Sequence, residues 1–428
     1  MSREGSAAHS DIQTSLEGLV LDQDWTFSKA DTSYLTHGLH DYPARMIPQI
    51  ARRLIERYSL KGGRVLDPFC GSGTTLVEAM LMGRDSVGSD VNPFALLLAK
   101  VKSTPIDFRR SKFAATAFLK RVDGDHRKRE RAKALPAAPL SIHPNLLHWF
   151  KADVCRDLEF LYEEILKVED DDVRDLLWVV LSDTAFKSSN IDRRSSRFLR
   201  VLRPDKLVEH MPDPVGHFRR KLSDSVERVT SFTDAVPKGS LSAVGFGDAR
   251  KLALDSNSVD AVVTSPPYGE EKNTVGYARW SKLSIAWLRL RDQKKPERLS
   301  LGFLPATGVQ EMVKQLPSET ARKLLSDLVQ RDPERVRDAL PFFFDYLASL
   351  RQMFRVLKSD SFCCLVVGDR SIRQKPLDMD RVTVELAREA GFAHVESFHR
   401  SIPIKLIPWN TPTGRTISRE SMVILSTA

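Results

Sequence analysis

The stretch that leaves this chain fewest folds to choose from is Arg64-Val65-Leu66-Asp67-Pro68-Phe69-Cys70-Gly71-Ser72-Gly73-Thr74-Thr75. It begins as a short apolar strand, breaks at a glycine-rich turn, and resumes in Leu76 to Met82, a helix closed by Gly83. Strand, glycine turn and helix in this order make the first half of a nucleotide-binding βαβ unit. Glycines let the backbone approach a ligand, and the helix N-terminus attracts negative charge. A second strand follows, Asp85-Ser86-Val87-Gly88-Ser89-Asp90, ending in an acid 19 residues beyond Gly71. That is close to the spacing of a carboxylate that accepts ribose hydroxyls. Asn92-Pro93 opens a further helix, Phe94 to Val101. The sequence therefore predicts an α/β protein that binds an adenosine-containing ligand.

A second feature stands far down the chain. Ser258 to Val263 is a β-branched apolar run, read as a buried strand, and it stops at Thr264-Ser265-Pro266-Pro267-Tyr268. Two prolines have no N–H and hold φ fixed, so the backbone leaves the sheet stiff and extended. At least one carbonyl of Ser265 or Pro266 is then left to accept from a ligand. With the Ser265 hydroxyl, the Tyr268 ring and the room beside Gly269, this corner suits a planar group bearing an NH2.

Between the two features the α/β rhythm breaks. Lys102 to about Ser240 reads as a helical insertion, with amphipathic patterns at Leu158–Leu166 and Val173–Phe186. Residues 105–135 and 185–221 each carry ten Lys/Arg against four acids, with an acidic stretch, Glu159 to Asp175, between them. Either block alone reads equally well as a solvated helix face or a phosphate grip. Arg193, Arg194, Arg197 and Arg200 cluster in the second block and are the candidate phosphate contacts. The rhythm returns at Leu241–Ala249, where Asp248 either accepts from an adenine amine or caps the turn before Arg250. A helix is expected at Leu283–Leu290, and residues 291–340 read as a second helical insertion. Phe342–Leu357 should be an amphipathic helix, and Ser361–Asp369 a fully buried strand. Met379–Ala390 follows as a helix, then strands at His394–Arg400 and Glu420–Ser426. Ile407–Pro412, on the loop between those strands, is placed to reach over the site.

The pair Asp67–Thr75 and Thr264–Tyr268 resembles the S-adenosylmethionine-binding and catalytic motifs of the DNA amino-methyltransferases, the N4-cytosine and N6-adenine enzymes of bacterial restriction–modification systems. His40 to Pro48 is similar to the family's extra N-terminal cofactor motif, Asp90 to its ribose-binding acid and Asp248 to its adenine-site acid. The matched motifs span 37–101, 241–290 and 342–426. The resemblance implies a Rossmann-like, seven-stranded class I methyltransferase sheet with helical insertions, its last two strands forming an antiparallel hairpin. It divides the chain into an arm (1–30), a catalytic domain (31–102 and 241–428), a target-recognition insertion (103–240) and a second insertion (291–340). It further implies S-adenosyl-L-methionine held by Tyr42, Pro43, Asp67, Pro68, Phe69, Gly71, Gly73, Thr74, Asp90, Val91, Asn92, Asp248 and Ala249. Ser265, Pro266, Pro267 and Tyr268 would carry the chemistry, with no metal and no covalent intermediate. Double-stranded DNA is the implied substrate, and a restriction endonuclease acting on the same site the implied partner.

Ser265 directs the expectation to cytosine N4, because many adenine enzymes carry Asp there. C5-cytosine chemistry is not expected, since it needs a cysteine after proline and no Pro-Cys pair exists. Adenine N6, an RNA amine, or an inactive methyltransferase fold serving as a DNA-binding regulator remain as alternatives. Composition agrees with a nucleic-acid enzyme: 428 residues, net charge +9, and scattered cysteines (Cys70, Cys155, Cys363, Cys364) without a CxxC pair. No apolar run approaches the roughly 20 residues of a membrane span. A reducing, cytoplasmic and nucleoid-associated location is expected.

Overall fold

Apolar strands buried on both faces need a helical layer on each side, and the chain supplies both. The computed structural model describes residues 24–132, 145–192, 201–271, 274–290, 296–402, 410–411, 414–415 and 417–427. Helix α1 (Pro48–Tyr58) leads into strand β1 (Arg64–Asp67), helix α2 (Thr74–Leu81), strand β2 (Asp85–Asp90) and helix α3 (Pro93–Ser103). Helices α4 (Phe108–Ala132), α5 (Ala152–Leu166), α6 (Asp171–Ser188) and α7 (Pro214–Ala235) follow. Strands β3 (Ser242–Phe246) and β4 (Val259–Thr264) then return to the sheet, and helix α8 (Tyr277–Trp287) lies beyond the Pro-Pro corner. The C-terminal part comprises helices α9 (Val309–Gln315), α10 (Glu319–Val329) and α11 (Pro333–Val356), strand β5 (Leu357–Gly368), helix α12 (Met379–Ala390), and strands β6 (Ala393–Ser401) and β7 (Arg419–Ser426).

The seven strands form one sheet in the order β3-β2-β1-β4-β5-β7-β6. Strands β3 to β5 pair in parallel, whereas β7 runs antiparallel to both β5 and β6. This is the expected class I methyltransferase sheet with its antiparallel last pair. Adjacent Cys363 and Cys364 point to opposite faces. Cys363 packs with α11 and α12, and Cys364 with α1. All four cysteines are buried and free. Helices α3 to α8 share a separate apolar core built around Leu158, Leu177, Phe218 and Trp287. Trp25, in the stretch read as an arm, is buried against Phe398 with the Arg53 guanidinium over its ring.

The starts of helices α8 and α11 differ from the sequence expectation. Helix α8 begins at Tyr277, one and a half turns before Leu283, because Gly276 leads into it and Trp280, Ser281 and Leu283 extend the packed face. Helix α11 begins at Pro333 and runs through Pro341, where a sequence reading breaks it. The Asp332 side chain caps the N-terminus by accepting from the Arg335 N–H. Proline at 341 leaves the Arg337 carbonyl without its helical donor. The Ala306 N–H supplies one instead, at 3.0 Å. Among the described residues, no helix is long and apolar enough to cross a membrane.

Candidate active site

The glycine turn after β1 is shaped by backbone that only glycine takes easily. Gly71 and Gly73 have φ of +48° and +85°. A Cβ on Gly73 would sit 2.8 Å from the Ala99 Cα of α3, so the turn and the two helices depend on its absence. Asp67 opens the turn and is buried. Its Oδ1 accepts from the Phe69 N–H at 3.1 Å and from the Thr264 hydroxyl at 2.6 Å. The second bond joins two segments 197 residues apart in sequence. Burial pushes the Asp67 carboxyl up to about 6, against the lowering pull of the Thr264, Thr75 and Phe69 hydrogen bonds.

Asp90, at the end of β2, is held by the same turn. Its Oδ2 accepts from the Gly71 N–H at 3.0 Å and its Oδ1 from the Asn92 N–H at 2.8 Å. Burial lifts it too, to about 6. Asn92 caps α3 by accepting from the Phe94 N–H, while its amide donates to Ser281 on α8 at 2.7 Å.

These groups line one cleft. Of the residues read from sequence, Tyr42, Pro43, Asp67, Pro68, Phe69, Gly71, Thr74, Asp90, Val91, Asn92, Asp248, Ala249, Ser265 and Pro267 form its wall. Gly73, Pro266 and Tyr268 are not part of it, each standing next in sequence to a residue that is. Arg193, Arg194, Arg197 and Arg200 lie outside the described residues, as does most of the Ile407–Pro412 loop. Asp248 is engaged on both oxygens by Arg250, which also reaches Asp345. Its Oδ1 also takes the Arg250 N–H, so it closes the turn as well as facing the cleft.

The sequence reading missed part of the wall. Tyr277 stacks on Tyr42 at 6.0 Å between ring centres, and Glu271, Thr274 and Leu299 to Leu301 complete the cleft. The Ser300 hydroxyl donates to Glu271 at 2.5 Å, which ties the second insertion to the segment after Tyr268. A signal existed for Tyr277, an aromatic on a glycine-rich segment close after the corner. None existed for Leu299 to Leu301.

At the corner, the Ser265 hydroxyl donates to the Val366 carbonyl at 3.1 Å, which leaves its lone pairs available to accept. The Tyr268 hydroxyl lies 3.2 Å from it and donates to Glu420 on β7 at 3.2 Å. Burial holds the Tyr268 phenol well above its ordinary range, so it stays protonated. Behind the corner, Glu270 is buried between Arg335 and Arg370. The Arg370 guanidinium covers Gly269 so closely that a Cβ there would lie 2.5 Å away.

Part of the first basic block is compensated within the chain. Arg110 forks onto Asp170 at 2.5 and 2.6 Å and also reaches Asp172, and Arg121 binds Glu164 at 2.7 Å. The acidic stretch read between the two blocks thus partners Arg110 and Arg121 of the first.

Comparison with known proteins agrees with this geometry. Residues 6–101 match a family model described as DNA methylase. The chain is 28% identical to the type II methyltransferase M.MvaI of Kocuria varians over 94% of its own length and 91% of that protein. It is 23% identical to the type II methyltransferase M.BsoBI of Geobacillus stearothermophilus, over 67% of this chain and 60% of that one. A solved S-adenosylmethionine-dependent methyltransferase from Methanosarcina mazei aligns at 10% identity and a TM-score of 0.32, over 87% of this chain and 95% of that one. The chain is thus similar to a DNA methylase family over residues 6–101, and to type II methyltransferases of restriction–modification systems over most of its length.

Proposed function

We propose that the chain methylates the exocyclic N4 amine of cytosine in duplex DNA, with the target base turned out of the helix. The observation that carries this is Ser265: it lines the cofactor cleft, and the neighbouring Thr264 is bonded to Asp67 of the cofactor turn. The cleft fits the cofactor. Gly71 brings backbone to its wall, Asp90 presents a carboxylate for a ribose, and Tyr42 and Tyr277 offer ring surface. When bound, S-adenosylmethionine supplies a methyl group activated by its sulfonium.

The chain's own residues prepare the acceptor. An aromatic amine is a poor nucleophile because its lone pair is delocalised into the ring. Ser265 Oγ accepts one amine N–H and the Pro266 carbonyl accepts the other, which turns the nitrogen lone pair out of the ring plane. Tyr268 supplies the aromatic face for the base. Extruding the base costs a few kcal/mol, which contacts to the DNA backbone offset. We assign those contacts to Arg193, Arg194, Arg197 and Arg200, and the modification protects the site against a partner endonuclease.

The test is incubation with S-adenosylmethionine and unmethylated DNA, digestion to nucleosides, and mass spectrometry, with a parallel RNA arm. N4-methyldeoxycytidine is expected. N6-methyldeoxyadenosine would move the assignment to adenine, methylated RNA would change the substrate, and no product would remove the activity.

A further inference from the structure

Three polar groups stand in file from the cleft into the sheet. Ser265 lines the cleft, its Oγ lies 3.2 Å from the Tyr268 hydroxyl, and Oε1 of Glu420 accepts from that hydroxyl at 3.2 Å. The far end is fixed. Arg400 on β6 binds Oε2 of Glu420 through Nε at 2.7 Å, which leaves Oε1 turned to Tyr268. Arg400 is itself buried and tethered to the Thr26 carbonyl. The ring has its place because residue 368 is glycine, where a Cβ would sit 2.5 Å from Tyr268 Cε2.

Amine methylation creates a proton that needs a way out. The bond from nitrogen to the methyl carbon forms as the sulfur–carbon bond breaks, and the sulfur keeps the electron pair. The nitrogen then carries one hydrogen too many and a positive charge. We propose that the file Ser265–Tyr268–Glu420 removes this proton, with the Glu420 carboxylate as its terminal acceptor. The amine proton passes to Ser265 Oγ, the serine proton to the Tyr268 oxygen, and the tyrosine proton to Glu420 Oε1. The serine hydroxyl, which rests on the Val366 carbonyl, turns to Tyr268 for its part. Each oxygen gains one proton and gives one, so only Glu420 ends changed. Its side chain keeps 16% exposure, through which the proton returns to solvent. Glu420 meets no reacting atom and acts through Tyr268.

This inference rests on the methylation of an exocyclic amine, and the experiment separates the two. Single-turnover methylation of duplex DNA is followed in H2O and D2O for the wild-type protein, Glu420→Gln, Tyr268→Phe and the double variant, with calorimetric titration of S-adenosylmethionine and thermal unfolding of each. Glutamine still accepts from the Tyr268 hydroxyl but takes no proton, and phenylalanine keeps the ring. Both single variants should slow the chemical step by about tenfold or more and lose the solvent isotope effect. Cofactor affinity should stay at the wild-type value, and Tyr268→Phe should melt close to wild type, whereas Glu420→Gln should melt lower because it leaves buried Arg400 without its charged partner. The double variant should be no slower than the worse single one, because one file is broken once. A Glu420→Gln rate within about twofold of wild type, or losses that multiply in the double variant, overturns the file. Absence of methyl transfer by the wild-type protein overturns the function instead, and the file falls with it.

Discussion

Thr264→Val tests the joint between the cofactor turn and the corner strand. Valine keeps the shape and the strand preference of threonine and removes the hydroxyl that donates to Asp67 at 2.6 Å. A hydrogen bond to a charged group is worth about 1.5–3 kcal/mol, and one between neutral groups about 0.5–1.5 kcal/mol. Asp67 titrates near 6 in the fold, above the ordinary carboxylate value of about 3.9. A carboxyl raised in this way stabilises the fold fully below pH ~4, and that contribution is lost as the pH rises through 6. The Thr264 bond favours the ionised form and limits the loss. The variant should therefore cost about 1.5–3 kcal/mol at pH 8 but only about 0.5–1.5 kcal/mol at pH 5. Asp90 titrates in the same range in both proteins and cancels in the difference. Urea unfolding of the two proteins at each pH measures both costs. Equal costs at the two pH values, or a cost at pH 8 below about 0.5 kcal/mol, would refute the reasoning.

Gly73→Ala should strain the turn by about 1–2 kcal/mol at its positive φ and also drive a Cβ into Ala99, so calorimetry should find cofactor binding lost and melting lowered. Arg370→Met breaks a buried ion pair with Glu270 and should cost about 3–5 kcal/mol in denaturant unfolding, with a loss of methylation from loosening of the segment after Tyr268. Cofactor affinity should fall about tenfold as the pH drops through 6, because protonation removes a charged acceptor at Asp90. Titrations between pH 5 and 8 check this, and Asp90→Asn should flatten the profile.

What the sequence disclosed is what short range encodes. The turn at Asp67–Thr75 and the proline stop at Pro266-Pro267 declare their geometry through residues that restrict or free the backbone. Period and composition likewise placed β5 and α12. What stayed hidden depends on distant partners. Nothing near Thr264 says that its hydroxyl will meet Asp67. Nothing near Pro341 says that Ala306 will take over the orphaned Arg337 carbonyl, so a proline that ends most helices is carried inside α11. Asp248 read as an adenine acceptor or a cap, and only the fold brings Asp345 to hold Arg250 against it. The basic block at 105–135 read as a phosphate grip or a solvated face. The fold turns Arg110 and Arg121 onto the acidic stretch, so raw charge overstated the surface left for DNA.

The strand order also sets a timetable for synthesis. Strand β1 can pair with β2 almost at once, but its other edge waits for β4, and Asp67 waits 197 residues for Thr264. At about 5–20 residues per second that interval is roughly 10–40 s on the ribosome. Strand β7 then enters between β5 and β6, so the sheet closes only once β7 has been made. Until that moment β5 shows an unpaired apolar edge, and the nascent chain depends on chaperones or on the early helices to keep that edge from pairing elsewhere.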